Sequence, residues 1–324
     1  MPEIDFDGRV ILVTGAGQGL GAAYALALAE RGARVVVNDL GVGIDGTGSD
    51  DGPAQALTAT IRDRGGEAVA NTDSVAHAAG AAAMVAQAVD AYGRLDGVLH
   101  NAGISGFGTL DALTDAQWDT MLAVHLSGAF YLTRAAWPHL AVDRGRLLYI
   151  TSAVGLYGLA GLGHYAAAKS GLLGLSRTAA AEGSAVGISA NMLGVGASTR
   201  LMDLAMVDAP EQAAWYARYM RPELPAATAT WLLHPDCPAT GQAYQAFGPH
   251  AAEIFVGETR GITDLALTPE DVRDCWEAIV DHEDTWIPQG PDDFHARSYG
   301  FVVEAGAEQP PGSAKLAVDA RPGR

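Results

Sequence analysis

Cysteine is almost missing: 324 residues hold only Cys237 and Cys275, far apart and without a metal-type spacing. This excludes a disulfide framework and gives no basis for a zinc site. Basic residues are scarce as well, 20 Lys and Arg against 38 Asp and Glu, for a formal charge of −18. No basic cluster is present, which excludes a nucleic-acid surface. No apolar run reaches the roughly 18 residues of a membrane-spanning helix. Met1 to Gly8 carries three acids and no base, unlike an export signal. The nine histidines are scattered, so no metal is expected. A soluble, cytoplasmic chain is the expectation.

What is present is a globular composition, 49% apolar and 18% charged, with 40 glycines. From Arg9 onward, short β-branched runs alternate with Ala-rich helical stretches. That rhythm predicts repeated βα units and a three-layer, doubly wound α/β fold with a seven-stranded parallel sheet. The strands are read at Arg9–Thr14, Arg34–Asp39, Glu67–Asn71, Leu95–Asn101, Arg146–Thr151, Gly187–Leu193 and Gln242–Phe247. Helices are read at Leu20–Arg31, ended by Gly32, at Asp115–Leu140, broken near Pro138, and at Gly163–Glu182. Gly41–Pro53 reads as an extended loop. A further helix at Pro269–Asp284 has Thr268 as N-cap and Val272, Trp276, Ile279 and Val280 on one face. Residues 1–300 are expected to form one domain with a helical extension over about 250–300. From Ala305 the composition turns to Gly, Pro and small residues, and 301–324 is expected to be a flexible tail.

Thr14-Gly15-Ala16-Gly17-Gln18-Gly19-Leu20-Gly21 follows a strand and opens a helix. Backbone N–H groups and the positive helix end there suit a pyrophosphate, and the fold becomes Rossmann-type. Asp39 ends the second strand, 24 residues after Gly15. Its carboxylate suits the adenosine ribose hydroxyls and repels a 2′-phosphate, which favours NAD over NADP.

Tyr165 and Lys169 are four apart, so a helix puts them on one face. A cation beside a phenol lowers a pKa that starts near ~10, towards the range of a general base. Ser152 lies 13 residues before Tyr165, at the end of a strand, where its hydroxyl can hold a substrate oxygen. Hydride transfer between NAD and a secondary alcohol or ketone follows as the expected reaction.

In order and spacing, TGAGQGLG at Thr14, NAG at Asn101, Ser152, and Tyr165 with Lys169 resemble the signatures of the short-chain dehydrogenase/reductase family, over about residues 5–250. The resemblance implies Tyr165 as the acid/base, Ser152 as the residue that positions the substrate oxygen, and Lys169 as a holder of the nicotinamide ribose. It implies a cofactor cleft bordered by Gly15, Gln18, Gly19, Leu20, Gly21 and Asp39, by Asp73, Ser74 and Val75 at the adenine, by Asn101, Ala102 and Gly103, and by Thr199 at the carboxamide. Helices 115–140 and 163–182 resemble those that pair in this family, which implies a homodimer or homotetramer. The runs VVVNDLG, GGEAVANTDSV, VHLSGAF and TPEDVRDCWEAI are similar to the (3R)-hydroxyacyl-CoA dehydrogenase domain of peroxisomal multifunctional enzymes of type 2 and their free-standing bacterial relatives. The terminal Arg321-Pro322-Gly323-Arg324 is not a peroxisomal address, so a free-standing cytoplasmic enzyme is expected.

Three positions depart from the family pattern. His125 stands where most members have Asn, as in the multifunctional-enzyme group, and either relays protons or packs with its hydrogen bonds satisfied. His100 replaces the first Asn of the NNAG run, and Val195 stands in place of Pro. His164 should point about 100° away from Tyr165, which implies a helix-surface or interface role. The substrate is expected between Met202, Met206, Trp215 and Tyr219 on one side and Gly155, Leu156 and Tyr157 on the other. Arg200, Arg218 and Arg221 are the nearest cations for an acyl-CoA. The expected substrate is a 3-hydroxyacyl-CoA or a hydroxysteroid, with a terpenoid or other bulky apolar alcohol as an alternative. A dinucleotide sensor or scaffold without turnover would not need Ser152, Tyr165 and Lys169 together, and a nucleotide-sugar epimerase would need a larger C-terminal domain.

Overall fold

The apolar β-branched runs form strands because both faces of a parallel sheet are covered. In a computed structural model, which describes residues 3–43, 45–198 and 209–308, they are Val10–Thr14 (β1), Arg34–Asn38 (β2), Glu67–Asn71 (β3), Gly97–His100 (β4), Arg146–Thr151 (β5), Ser189–Gly196 (β6) and Ala243–Phe247 (β7). β5 is buried at every position. The strand order is β3-β2-β1-β4-β5-β6-β7, all parallel.

An eighth strand, β8 (His250–Ile254), adds to β7 antiparallel and corrects the expected count of seven. Its Ala and Glu residues carry little strand propensity, so the sequence gives no strand signal. It forms because Gly248, at φ 53°, turns the chain straight back on β7.

Helices Gly19–Ala29 (α1) and Gly52–Asp63 (α2) cover one face of the sheet and Ala78–Tyr92 (α3) the other. Asp115–Leu122 (α4) continues through a π turn, Ala123–Ser127, into Gly128–Leu140 (α5). The expected break near Pro138 is therefore misplaced. Pro138 lies in the last turn of α5, where it removes one hydrogen bond, and the irregularity is at His125 instead. Ala153–Tyr157 (α6), Gly163–Gly183 (α7), Pro210–Tyr219 (α8) and Glu223–Leu233 (α9) complete this part. Tyr24, Leu28, Ile61 and Leu232 fill the core on the α1, α2 and α9 face. Met84, Leu132 and Leu172 fill it on the α3, α5 and α7 face. β1 and β4 are neighbours in space but not in sequence, and the chain leaves them in opposite directions. A crevice opens at the carboxyl ends of two such strands.

The chain divides into two compact units, Met1–Ile254 and Phe255–Arg324. In the second, Glu258–Thr259 (β9) pairs antiparallel with Thr285–Trp286 (β10). Thr268 caps Pro269–Asp274 (α10) in a capping box with Asp271, but the expected single helix stops at Cys275 and restarts as Trp276–Ile279 (α11). Trp276 and Val280 stay exposed, at 57% and 43%, so the apolar face that would stabilise a longer helix buries little. Pro291–Glu304 (α12) carries helix past residue 301, the expected start of the tail. Among the described residues no helix is long and apolar enough to cross a membrane.

Candidate active site

A cleft of about 550 Å³ opens at the carboxyl ends of β1 and β4. The glycine loop forms its floor. Gly15 has φ 60°, and a side chain there would meet Ala102 Cα at 2.7 Å. A side chain on Gly21 would collide with the Gly15 carbonyl. The loop is thus a cradle that only glycine leaves open. Asn101 holds it, its Nδ2 donating to the carbonyls of Thr14 and Gly15, each at 3.0 Å.

Asp39 closes one end of the cleft. Its Oδ2 accepts from Gly17 N–H at 2.8 Å and its Oδ1 from Gly41 N–H at 2.7 Å. The acid is fixed by the backbone of both flanking loops. Gln18, Gly19, Leu20, Asp73, Ser74, Val75, Ala102 and Gly103 line the same cleft. These residues fit a dinucleotide: backbone N–H groups where phosphates sit, and a carboxylate where a ribose diol sits.

At the other end α7 presents Tyr165 and Lys169 together, beside Ser152. Ser152 caps α6, accepting from Val154 N–H at 3.2 Å. Thr151 Oγ1 donates to the Lys169 carbonyl at 3.1 Å, and Ser170 Oγ donates to the Gly155 carbonyl. These bonds pin α7 to the end of β5. Lys169 Nζ donates to the Ile150 carbonyl at 2.8 Å and lies 5.7 Å from the centre of the Tyr165 ring. It is therefore over the ring, and no hydrogen bond joins the two side chains. Burial pushes the Lys169 ammonium down to about 7. Burial also raises the Tyr165 phenol, while a hydrogen bond from Ser152 lowers it. Desolvation of both groups thus works against the acidification that an ammonium beside a phenol provides.

His125 lines the cleft from the π turn. Its Nε2 faces both Ile104 N–H, at 3.0 Å, and Ile104 C=O, at 2.9 Å, and its ring meets Tyr165 edge-on at 5.2 Å. A side chain on Gly103 would strike His125 Cε1 at 2.5 Å. Nε2 is thereby tied to Ile104, while Nδ1 is buried with no hydrogen-bond partner among the described residues.

His164 corrects a sequence expectation. It is buried, at 2% exposure, with no partner for Nδ1, and is not a surface residue. The Gly106–Gly108 segment, bridged to Leu162, covers this side of the helix. Burial lowers the basicity of His100, to about 3, and of His125 and His164. The unfolded chain then binds protons that the folded core refuses at pH below about 6.5. Stability is present above that pH and is lost as pH falls through it, by up to about 1.4 kcal/mol per pH unit for each of His100 and His125. Urea unfolding at pH 7.5, 6.5 and 5.5 should show this loss, and equal midpoints would contradict it.

Among the described residues, none of those expected at the substrate lines the cleft. Thr199, Met202 and Met206, and also Arg200, lie outside the described residues. Gly155 packs under Lys169 Cβ, Leu156 joins the α3, α5 and α7 face, and Tyr157 is 80% exposed. Trp215 and Tyr219 meet with ring centres 5.3 Å apart and planes tilted by 45°, and neither lines the cleft, whereas Tyr216 does. Neither Arg218 nor Arg221 lines the cleft. Val42, Ile104, Val124, Val195 and Phe247 do. The Gly41–Pro53 loop, read only as a connection, supplies Val42, Gly43 and Gly46.

Residues 9–206 match the short chain dehydrogenase family. The chain is 41% identical over 289 residues to mouse peroxisomal multifunctional enzyme type 2, covering 88% of this chain but only 38% of that enzyme. It is 36% identical over 260 residues to hydroxyacyl-CoA dehydrogenase ChsB1 of Mycobacterium tuberculosis, covering 77% of this chain and 80% of that one. The crystal structure of a short chain dehydrogenase from Mycobacterium avium superposes with a TM-score of 0.72 at 32% identity, over 85% of this chain and 95% of that one. With a doubly wound sheet, a glycine cradle at its switch point and these relatives, the chain belongs to the short-chain dehydrogenase family of oxidoreductases, which normally binds a nicotinamide dinucleotide.

Proposed function

We propose that the protein is an NAD-dependent dehydrogenase that interconverts 3-hydroxyacyl-CoA and 3-oxoacyl-CoA thioesters. The observation that carries this reading is the convergence of Ser152, Tyr165 and Lys169 on one cleft whose far end is closed by Asp39. A binding module has no need of that trio.

Tyr165 takes the hydroxyl proton of the alcohol while Ser152 holds the same oxygen. When bound, the nicotinamide supplies the hydride acceptor. Lys169 keeps two of its three hydrogens beyond the Ile150 carbonyl, and these serve the nicotinamide ribose. Its charge, beside that of the oxidised nicotinamide, favours phenolate in a site where burial alone disfavours it. His125 holds Ile104 and flanks the Tyr165 ring, so it acts through position. Asp39 selects NAD because its carboxylate, immobilised by two N–H bonds, cannot swing away from a 2′-phosphate.

The acyl-CoA assignment follows the names of the relatives. The apolar and aromatic outer wall, with Ile104, Val124, Tyr216 and Phe247, also suits a hydroxysteroid. Assembly into a homodimer or homotetramer is supported by exposed Trp118 and Phe130 on the helices between 115 and 140.

An NADH-production assay across 3-hydroxyacyl-CoA chain lengths and hydroxysteroids, run with NAD and NADP, tests the whole reading. The thioesters should give the highest kcat/KM and NAD the preference. Asp39→Asn, which keeps the shape and removes the charge, should narrow that preference by about 10-fold or more. Highest kcat/KM on a steroid would replace the substrate, and an unchanged cofactor ratio would remove Asp39 from its role.

A further inference from the structure

His100 ends β4 at the switch point, and its ring is buried, at 1% exposure. The hydrogen bonds around it run in one direction. Asn101 N–H and Ala102 N–H both donate to Thr14 Oγ1 at 3.1 Å. Having accepted twice, that hydroxyl has its own proton to give, and His100 Nδ1 stands at 3.5 Å, the longest link. On the far side, His100 Nε2 lies 3.2 Å from the His125 carbonyl. A carbonyl only accepts, so Nε2 carries the hydrogen and Nδ1 the lone pair.

The chain ends on a residue that matters to the site. His125 holds Ile104 through its own Nε2, fills the space above Gly103 and meets the Tyr165 ring. Residues 101–104 are therefore held at both ends, at 101 and 102 through Thr14 and at 103 and 104 through His125, and His100 closes the circuit between them. Protonation would fill the lone pair that receives the Thr14 hydroxyl. It would also add a cation facing Lys169 from α7 and His125 from the π turn, the charged and titratable groups around the ring. The neutral ring is the state that fits.

We propose that His100 is a positioning residue of the active site: fixed as the neutral Nε2–H tautomer, it ties β1 and residues 101–104 to the π turn beneath Tyr165. This rests on Tyr165 being the acid/base. His100 does not itself line the cleft, so it acts through residues 101–104 and the π turn, on the placement of Tyr165 and of the cofactor wall together.

Two measurements test it. In the unmodified protein, ring nitrogen NMR should show His100 as a single neutral Nε2–H tautomer from pH 5 to 8. A titrating ring, or the Nδ1–H tautomer, would overturn the proposal whatever the variants do. Second, His100→Leu removes both bonds, whereas His100→Gln retains an amide donor towards the His125 carbonyl and a carbonyl acceptor towards Thr14. The Leu variant should lose about 10- to 100-fold in kcat, the scale of a misplaced reacting group, with the NADH binding stoichiometry unchanged, and Gln should restore most of the loss. Leu with unchanged kcat, or Gln no better than Leu, would overturn it. A fully active Tyr165→Phe would instead remove the base assignment and leave the tautomer result standing.

Discussion

Tyr165→Phe should bind NADH as the unmodified protein does and turn over its best alcohol about a thousandfold or more slowly. The change deletes one oxygen from a ring that is otherwise held by the His125 edge contact and by α7. Packing survives because the ring, not the hydroxyl, carries that contact. Chemistry does not survive, since general acid–base catalysis contributes roughly 10²–10⁴-fold and Ser152 alone, with a far higher pKa, cannot replace the phenol. NADH fluorescence titration and steady-state rates on one preparation separate the two. Turnover equal to the unmodified protein would dismiss Tyr165 as the base, and weakened NADH binding would mean that the hydroxyl serves the cofactor first. The same experiment decides against the sensor reading, because a non-catalytic dinucleotide module has no rate to lose.

The cofactor end of this site was legible because its constraints are written in single residue types. A glycine at 15 or 21 reports a backbone that must approach something closely, and Ala102 Cα and the Gly15 carbonyl are what a side chain would strike. Asp39 was legible as an acid ending an apolar strand, though not as a group already holding Gly17 and Gly41. Tyr165 and Lys169 were legible from helical spacing taken together with Ser152, the glycine loop and Asp39. The π turn was not: Ala123-Val124-His125-Leu126-Ser127 contains neither Gly nor Pro, and the contact between Ile104 and His125 Nε2 is long-range. On the 210–219 helix, the residue that lines the cleft was not legible. Trp215, Tyr216 and Tyr219 share one short helix, and composition cannot say which of them faces inward. His164 failed for a related reason, because the segment that packs near it, Gly106–Gly108, is distant in sequence. What the sequence could not carry was tertiary partnership, and that is where His100, His125 and Tyr216 acquired their places.

Lys169→Met should make the protein more stable at pH 7 while lowering turnover by at least about 100-fold. Lys169 is one of only two lysines in the chain, and it is buried at 3% exposure with a single hydrogen bond, to the Ile150 carbonyl. Desolvation pulls its pKa from 10.5 to about 7, so between those values the unfolded chain binds a proton that the folded chain releases. Stability of the unmodified protein therefore rises with pH across that window, and at pH 7 most of the burial penalty is still being met. Methionine matches the length, fills the gap against the Tyr165 ring and carries no charge. It leaves the Ile150 carbonyl without its donor, a cost of about 1 kcal/mol. Replacing a buried charge by an apolar side chain of similar size returns roughly 1–4 kcal/mol, so the net sign is stabilising. Turnover falls because phenolate loses the ammonium that favours it over phenol. Urea unfolding of both proteins at pH 7 and pH 10 checks the argument: the variant should lead at pH 7, and the gap should shrink at pH 10 as the lysine in the folded protein becomes neutral. A less stable variant at pH 7, or a gap indifferent to pH, would show that the ammonium is stabilised in the fold by more than the contacts described and that its role in the site is not bought against stability.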